Sequence, residues 1–134
     1  MSRKITKGFN KQALERRTSK KRFDKKALEL WREIVIRNAG DKCEICGRTG
    51  RLSAHHFWGR KNNSTRYYVD NGVALCYSCH VGTVLSAHES PAWFREEMIK
   101  RRGKKWYNSL QEQWRKTVKW NEIFIKENID ELNS

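Results

Sequence analysis

Cys43-Glu44-Ile45-Cys46, Ala54-His55-His56-Phe57, Asp70-Asn71-Gly72 and Cys76-Tyr77-Ser78-Cys79-His80 are the runs on which the reading of this chain turns. A CxxC turn aims two thiolates at one point. Two such turns supply the four sulfurs that a structural, tetrahedral Zn²⁺ prefers. Cys43, Cys46, Cys76 and Cys79 account for all four cysteines of the chain. The 29 residues between the pairs exceed a zinc-ribbon spacer, and His55, His56 and Asn71 lie in that extra length. Two disulfides are the alternative. Met1-Ser2-Arg3-Lys4 leads into polar sequence rather than an apolar run, so a secreted, disulfide-bonded protein is not expected. A closed four-thiolate zinc has no free coordination position, so its expected role is to tie the start of the segment to its end.

The histidines need a separate account. Residues 51–58 read as a strand, on which neighbours face opposite sides. One site could use both His55 and His56 only if the strand ended or bulged there, and Gly59 makes that feasible. Asp70-Asn71-Gly72 is a turn signal, and Val73-Ala74-Leu75 is a short apolar strand. A helix is expected to begin near Tyr77, with His80 in its first turn. Were that helix to continue unbroken, His88 would lie about 12 Å beyond His80. Were it to break after Gly82, His88 could fold back as a third ligand.

With the two CxxC pairs, the paired histidines, Asn71 and His80 in this order, the segment resembles the HNH nucleases of the four-cysteine zinc subtype. The resemblance covers about 40 residues. It implies a ββα-metal fold, a β-hairpin and a helix gripping one divalent cation, and a metal-dependent hydrolysis of DNA phosphodiester bonds. His56 takes the place of the general base. His55 and His80 take the places of ligands to the catalytic cation, and Asn71 that of the residue that ties the inter-strand loop and orients the base. Many relatives have Asp at the position of His55. A histidine there makes the site less anionic and moves its preference from Mg²⁺ toward Mn²⁺ or another borderline metal. The Ser53–Arg60 and Ser86–Pro91 runs look most like small HNH proteins of bacteriophages and prophages. That resemblance implies DNA packaging or recombination in the cytoplasm of an infected or lysogenic host, with phage proteins as partners. One active site per chain implies nicking by a monomer or a weak homodimer. The competing reading is a zinc-stapled DNA-binding accessory module without catalysis.

Composition supports a polyanionic partner. The formal charge is +14, from 29 Lys and Arg against 15 Asp and Glu. Residues 1–26 hold eleven basic and two acidic side chains, so the excess is concentrated there. No apolar run approaches membrane-spanning length. The expected architecture is α+β and mainly helical. It comprises a basic arm over residues 1–22, a nuclease module with a leading helix over 23–90, and a helical extension over 91–134. The arm contributes Arg16, Arg17, Lys20, Lys21 and Arg22 as phosphate contacts, and the loop after the paired histidines contributes Arg60, Lys61 and Arg66. Ala27, Leu28, Trp31, Ile34 and Val35 recur at helical spacing and predict a helix over 24–39, capped by Asp24 and ended by Gly40. Ser90-Pro91 opens another that runs to Arg102 and stops at Gly103. A long helix is expected from Lys104, its stripe formed by Trp106, Leu110, Trp114 and Val118 and continued by Ile123 and Phe124.

Overall fold

The structure is a computed structural model and describes residues 10–134. A 28-residue helix, α1 (Lys11–Asn38), opens it. A hairpin follows, made of β1 (Ser53–His56) and β2 (Gly72–Leu75), with a 3-10 turn at Val69–Asn71 before its second strand. A π-helical turn at Ser78–Gly82 leads to three helices: α2 (Pro91–Arg102), α3 (Lys104–Arg115) and α4 (Glu122–Asn133). The fold is mostly helical with one small sheet, as the sequence implies.

The helix expected over 24–39 begins at Lys11 instead. Asn10 caps it, accepting the Ala13 amide at 3.0 Å, and no glycine or proline interrupts residues 11–38. The part of the basic arm from Lys11 to Arg22 is therefore helical, and the rest of the arm, residues 1–9, lies outside the described residues. Asp24 is not a cap. It sits inside the helix, and its carboxylate takes Arg66 and Tyr67 from the hairpin loop. The buried positions are Ala27, Trp31 and Val35, spaced i, i+4, i+8 on one face.

That face lies on the hairpin. The strands are antiparallel, pairing Ser53 with Leu75, Ala54 with Ala74, His55 with Val73 and His56 with Gly72. Alternation assigns Ala54, His56, Gly72 and Ala74 to one face and Ser53, His55, Val73 and Leu75 to the other. The first face is built from small residues around His56, and α1 packs on it through Trp31 and Val35. The second face meets Phe94 and Met98 of α2 together with Cys43, Cys76 and Cys79. One strand pair therefore separates two cores. A third cluster joins α4 to α1 through Ile125, Ile129, Ala27 and Tyr67.

α2 starts at Pro91 and ends at Arg102 as the sequence predicts, and Gly103 has φ 98, open to glycine at low cost. Ser90 holds the N-cap position, but its hydroxyl donates to the Val84 carbonyl at 2.6 Å rather than capping the helix. The long helix expected from Lys104 is two helices. Residues 116–121 break it, and Asn121 caps α4 by accepting the Phe124 amide at 2.9 Å. Val118 lies in the break, and Ile123 is 69% exposed rather than part of a buried stripe.

Candidate metal centres and active site

The first centre is the cysteine cluster. The Sγ atoms of Cys43, Cys46, Cys76 and Cys79 all lie within 4.8 Å of one another. A tetrahedral zinc with bonds near 2.3 Å places its sulfurs about 3.8 Å apart, so the set fits that ion. Cys46 and Cys76 stand at 3.6 Å. Local backbone geometry makes the knuckle: Cys43 and Arg48 are paired by a 2.9 Å backbone bond, and the Gly47 amide returns to the Cys43 carbonyl. Burial opposes ionisation of Cys43, but the backbone amides of Cys46, Cys76 and Ile45 outweigh it and bring its thiol down to about 7. Cys79 moves the other way, raised by burial and by the neighbouring thiols. Ionising all four thiols this close together would require a cation to offset their mutual repulsion.

The second centre lies across the hairpin face from α1. His55, His80 and His88 each offer one ring nitrogen within 4.8 Å of the others. The Nε2 atoms of His80 and His88 are 3.1 Å apart. The His55 ring lies 5.1 Å from the His80 ring and 5.0 Å from the His88 ring, centroid to centroid. Zinc or a similar ion with bonds near 2.1 Å spaces tetrahedral nitrogens by about 3.4 Å, so the donor set suits one divalent cation with positions left for other ligands. His55 comes from β1 and His80 from the π-helical turn. His88 arrives because the helix breaks after Gly82, where a side chain would press on the Tyr77 ring at 2.8 Å. The chain then doubles back. The Ala87 amide donates to the Cys79 carbonyl at 2.8 Å and the His88 amide to the His80 carbonyl at 3.0 Å. Of the two paths open to His88 in the sequence, the fold takes the one that adds it to the cluster.

Burial and the surrounding imidazoles hold His55 at about 3, and burial with His88 lowers His80. Both shifts favour the neutral ring, the form that ligates a metal.

His56 is on the opposite face. Its ring lies flat on Trp31 at 4.0 Å and 15°. Its Nε2 is 3.0 Å from the Arg66 carbonyl, which can only accept, so the ring proton is on Nε2 and the lone pair is on Nδ1. Burial is the main reason its pKa falls to about 4, and the cations Arg60 and Arg66 add to it. The strand does not bulge to bring both rings together; pairing stays regular through His56.

Asn71 is fully buried and ties the loop that starts after His56. Its Nδ2 donates to the carbonyls of Trp58 and Thr65, and its Oδ1 accepts the Trp58 amide at 2.7 Å.

Residues 43–83 match the family model described as HNH endonuclease. This segment is similar to the HNH endonucleases. The family implies nuclease activity on DNA, and the cysteine cluster is arranged as in its zinc subtype. No curated protein and no solved structure matches the chain. The HNH match begins at the first cysteine of the cluster and ends just past the π-helical turn, so α1 and α2–α4 lie outside it.

The basic candidates divide into two groups. Arg16, Arg17, Lys21 and Arg22 on α1, and Arg60 and Lys61 in the loop, are exposed. Lys20 is half-buried with its ammonium 4.8 Å from the Trp120 ring. Arg66 differs from the expected phosphate contact. Its Nε and Nη2 bind both carboxylate oxygens of Asp24 at 2.8 and 2.7 Å, and its Nη1 donates to the Arg60 carbonyl. A bidentate pair this enclosed leaves the guanidinium committed to the fold. Trp31 and Asp24 lie beside His56 and its acceptor Arg66, and the sequence carries little sign of it. Trp31 read as an ordinary core residue, and the one available signal for Asp24 was an acidic residue seven positions before it in a basic helix.

Proposed function

We propose that this protein is a metal-dependent HNH endonuclease that hydrolyses DNA phosphodiester bonds, nicking one strand per active site. The observation that carries this reading is the cluster of three imidazoles, His55, His80 and His88, with His55 next along the strand to a histidine whose lone pair is on a defined nitrogen. His55, His80 and His88 would hold a divalent cation, whose charge would stabilise the scissile phosphate and the departing 3′ oxygen. Three nitrogen donors and no carboxylate favour Mn²⁺ or another borderline ion over Mg²⁺.

His56 is the general base in this reading. Its ring lies on the face opposite the cluster, but β1 ends at His56, so the attacking water is assigned to the strand end where the two faces meet; with Nε2 anchored, Nδ1 is the nitrogen left to accept its proton. The water oxygen bonds to phosphorus, the bond to the 3′ oxygen breaks, and that oxygen takes up a proton from solvent. The products carry 3′-hydroxyl and 5′-phosphate ends. Asn71 keeps the loop in place so that the Arg66 carbonyl stays against His56. Arg60, Lys61 and the exposed cations of α1 meet phosphates without reading sequence. The setting implied by the resemblance is phage DNA packaging or recombination.

The test is cleavage of supercoiled plasmid by wild type, His56→Ala and His88→Ala with Mg²⁺, Mn²⁺, Zn²⁺ or EDTA. Wild type should yield open circles with added metal and none in EDTA. His56→Ala should bind DNA and metal yet not nick. His88→Ala should need at least tenfold more metal, in line with the loss of one ligand of three. DNA binding without cleavage by wild type in every metal would favour the non-catalytic accessory module. Wild-type nicking by His56→Ala would remove the base assignment.

A further inference from the structure

The HNH match ends at residue 83 and begins at residue 43, yet two of the groups that hold His56 come from α1. Trp31 stacks on its ring face. Asp24, two helical turns earlier on the same side of α1, acts at one remove. Arg66 binds Asp24 through Nε and Nη2, and the Tyr67 hydroxyl donates to Asp24 Oδ1 at 2.6 Å. The peptide carbonyl that accepts the His56 Nε2–H lies between these two residues. One carboxylate therefore grips the side chains on both sides of a single peptide group. Arg66 and Tyr67 lie in a turn, and the binding of both their side chains to one carboxylate restricts rotation of the peptide between them. The Arg60 carbonyl takes the third guanidinium nitrogen, and Trp120 Nε1 donates to the Tyr67 hydroxyl at 2.9 Å, so the arrangement is braced from both ends. Side-chain exposure of 13% for Arg66 and 15% for Asp24 keeps water from competing for the pair.

The charge pattern adds a second argument. Residues 11–26 carry eight cations, and Asp24 is one of two acidic residues among them. On a helix facing a polyanion, a carboxylate weakens binding. A role in holding His56 accounts for its place there.

We propose that Asp24 is a positioning residue for cleavage, fixing the Arg66–Tyr67 peptide and through it the tautomer and orientation of His56. The inference rests on the reading of His56 as general base. α1 then serves two ends at once: its exposed cations contact the substrate backbone, and its Asp24 and Trp31 hold the base.

The experiment compares full-length wild type, Asp24→Asn, Arg66→Lys, His56→Ala and the double variant Asp24→Asn/His56→Ala in Mn²⁺. Asp24→Asn is close to isosteric and should fold. It should lower kcat for nicking by about 100-fold, the effect of misplacing a reacting group by about 1 Å. KM should stay the same or fall, because a negative charge has left the DNA-facing helix. Arg66→Lys keeps the charge but loses the two-pronged bond, and should also lower kcat. In the His56→Ala background, Asp24→Asn should change nothing further. Independently of cleavage, the side-chain ¹⁵N spectrum should show His56 in wild type as a single Nε2–H tautomer, and in Asp24→Asn as a mixture. Wild-type kcat in folded Asp24→Asn, an additive effect in the double variant, or an unchanged His56 tautomer would each overturn the proposal. Should Asp24→Asn fail to fold, Arg66→Lys decides by the same kcat and tautomer readings. Full nicking by His56→Ala would sink the base assignment instead, and the spectrum would still report whether Asp24 holds the ring.

Discussion

Replacing Gly72 by alanine tests the closest approach in the fold. Gly72 opens β2 opposite His56, on the face against α1. Its φ of −96° suits any residue, so the demand for glycine is steric. An added Cβ would overlap Val35 Cγ2 and stand 2.9 Å from both Val35 Cγ1 and Trp31 Cζ2. Carbon atoms pack at about 3.5–4.0 Å, so those two contacts alone are short by roughly 0.6–1 Å. Val35 and Trp31 are only 3% and 2% exposed, and a valine in a helix has one favoured rotamer, so neither side chain has room to turn away. The helix must shift instead. Overpacking of this kind costs about 1–3 kcal/mol. If the shift also breaks the 2.9 Å bond from Trp31 Nε1 to the Tyr68 carbonyl, about 1 kcal/mol more is lost. At roughly 3–4 °C per kcal/mol for a domain of this size, Gly72→Ala should lower Tm by about 3–15 °C. Gly59→Ala is the control, since nothing lies within 4 Å of its added Cβ; it should change stability by about 0.5 kcal/mol or less. Thermal and urea unfolding of the three proteins would measure this. A Tm for Gly72→Ala equal to that of Gly59→Ala would refute the contact between α1 and the hairpin, and with it the seating of His56 on Trp31.

Two further outcomes follow from the metal sites and the buried histidines. Wild type given Zn²⁺ should retain one tightly bound ion on the four thiols by metal analysis, and Cys79→Ser should lose it and fall in Tm by roughly 10 °C or more; a variant that kept both the ion and the Tm would show that the four thiols do not form one site. The folded state holds His55 at about 3 and His56 at about 4, both below the ordinary 6.5. Between those values and 6.5 the unfolded chain binds more protons than the folded one, so stability is full above pH 6.5 and declines as pH falls toward 4. Urea midpoints measured from pH 7.5 to 5, with zinc content checked at each point, should drop across that window, and a flat profile would contradict the burial of both rings.

The four-cysteine cluster was legible in the sequence because it depends on residue type and short spacing. Two CxxC turns converge wherever the chain brings them, and His55, His56, Asn71 and His80 keep their order in the HNH pattern. The boundaries of α2 were equally local, set by Pro91 and Gly103. α1 from Lys11 to Phe23 was not legible, since a largely solvated basic helix has only a weak apolar period and owes its start to a single cap at Asn10. The break between α3 and α4 carries neither glycine nor proline, so only packing reveals it.

For the candidate site the division is sharper. By itself the sequence determined which side chains are available: four thiols, four imidazoles, one asparagine and an excess of cations. Tertiary structure alone decided their partners. It turned His88 back onto His80, sent His56 to Trp31 rather than to His55, withdrew Arg66 from solvent onto Asp24, and required glycine at position 72 for contact rather than for a turn. Each of these depends on residues brought together from distant parts of the chain, and pairings of that kind leave no periodic trace in the sequence.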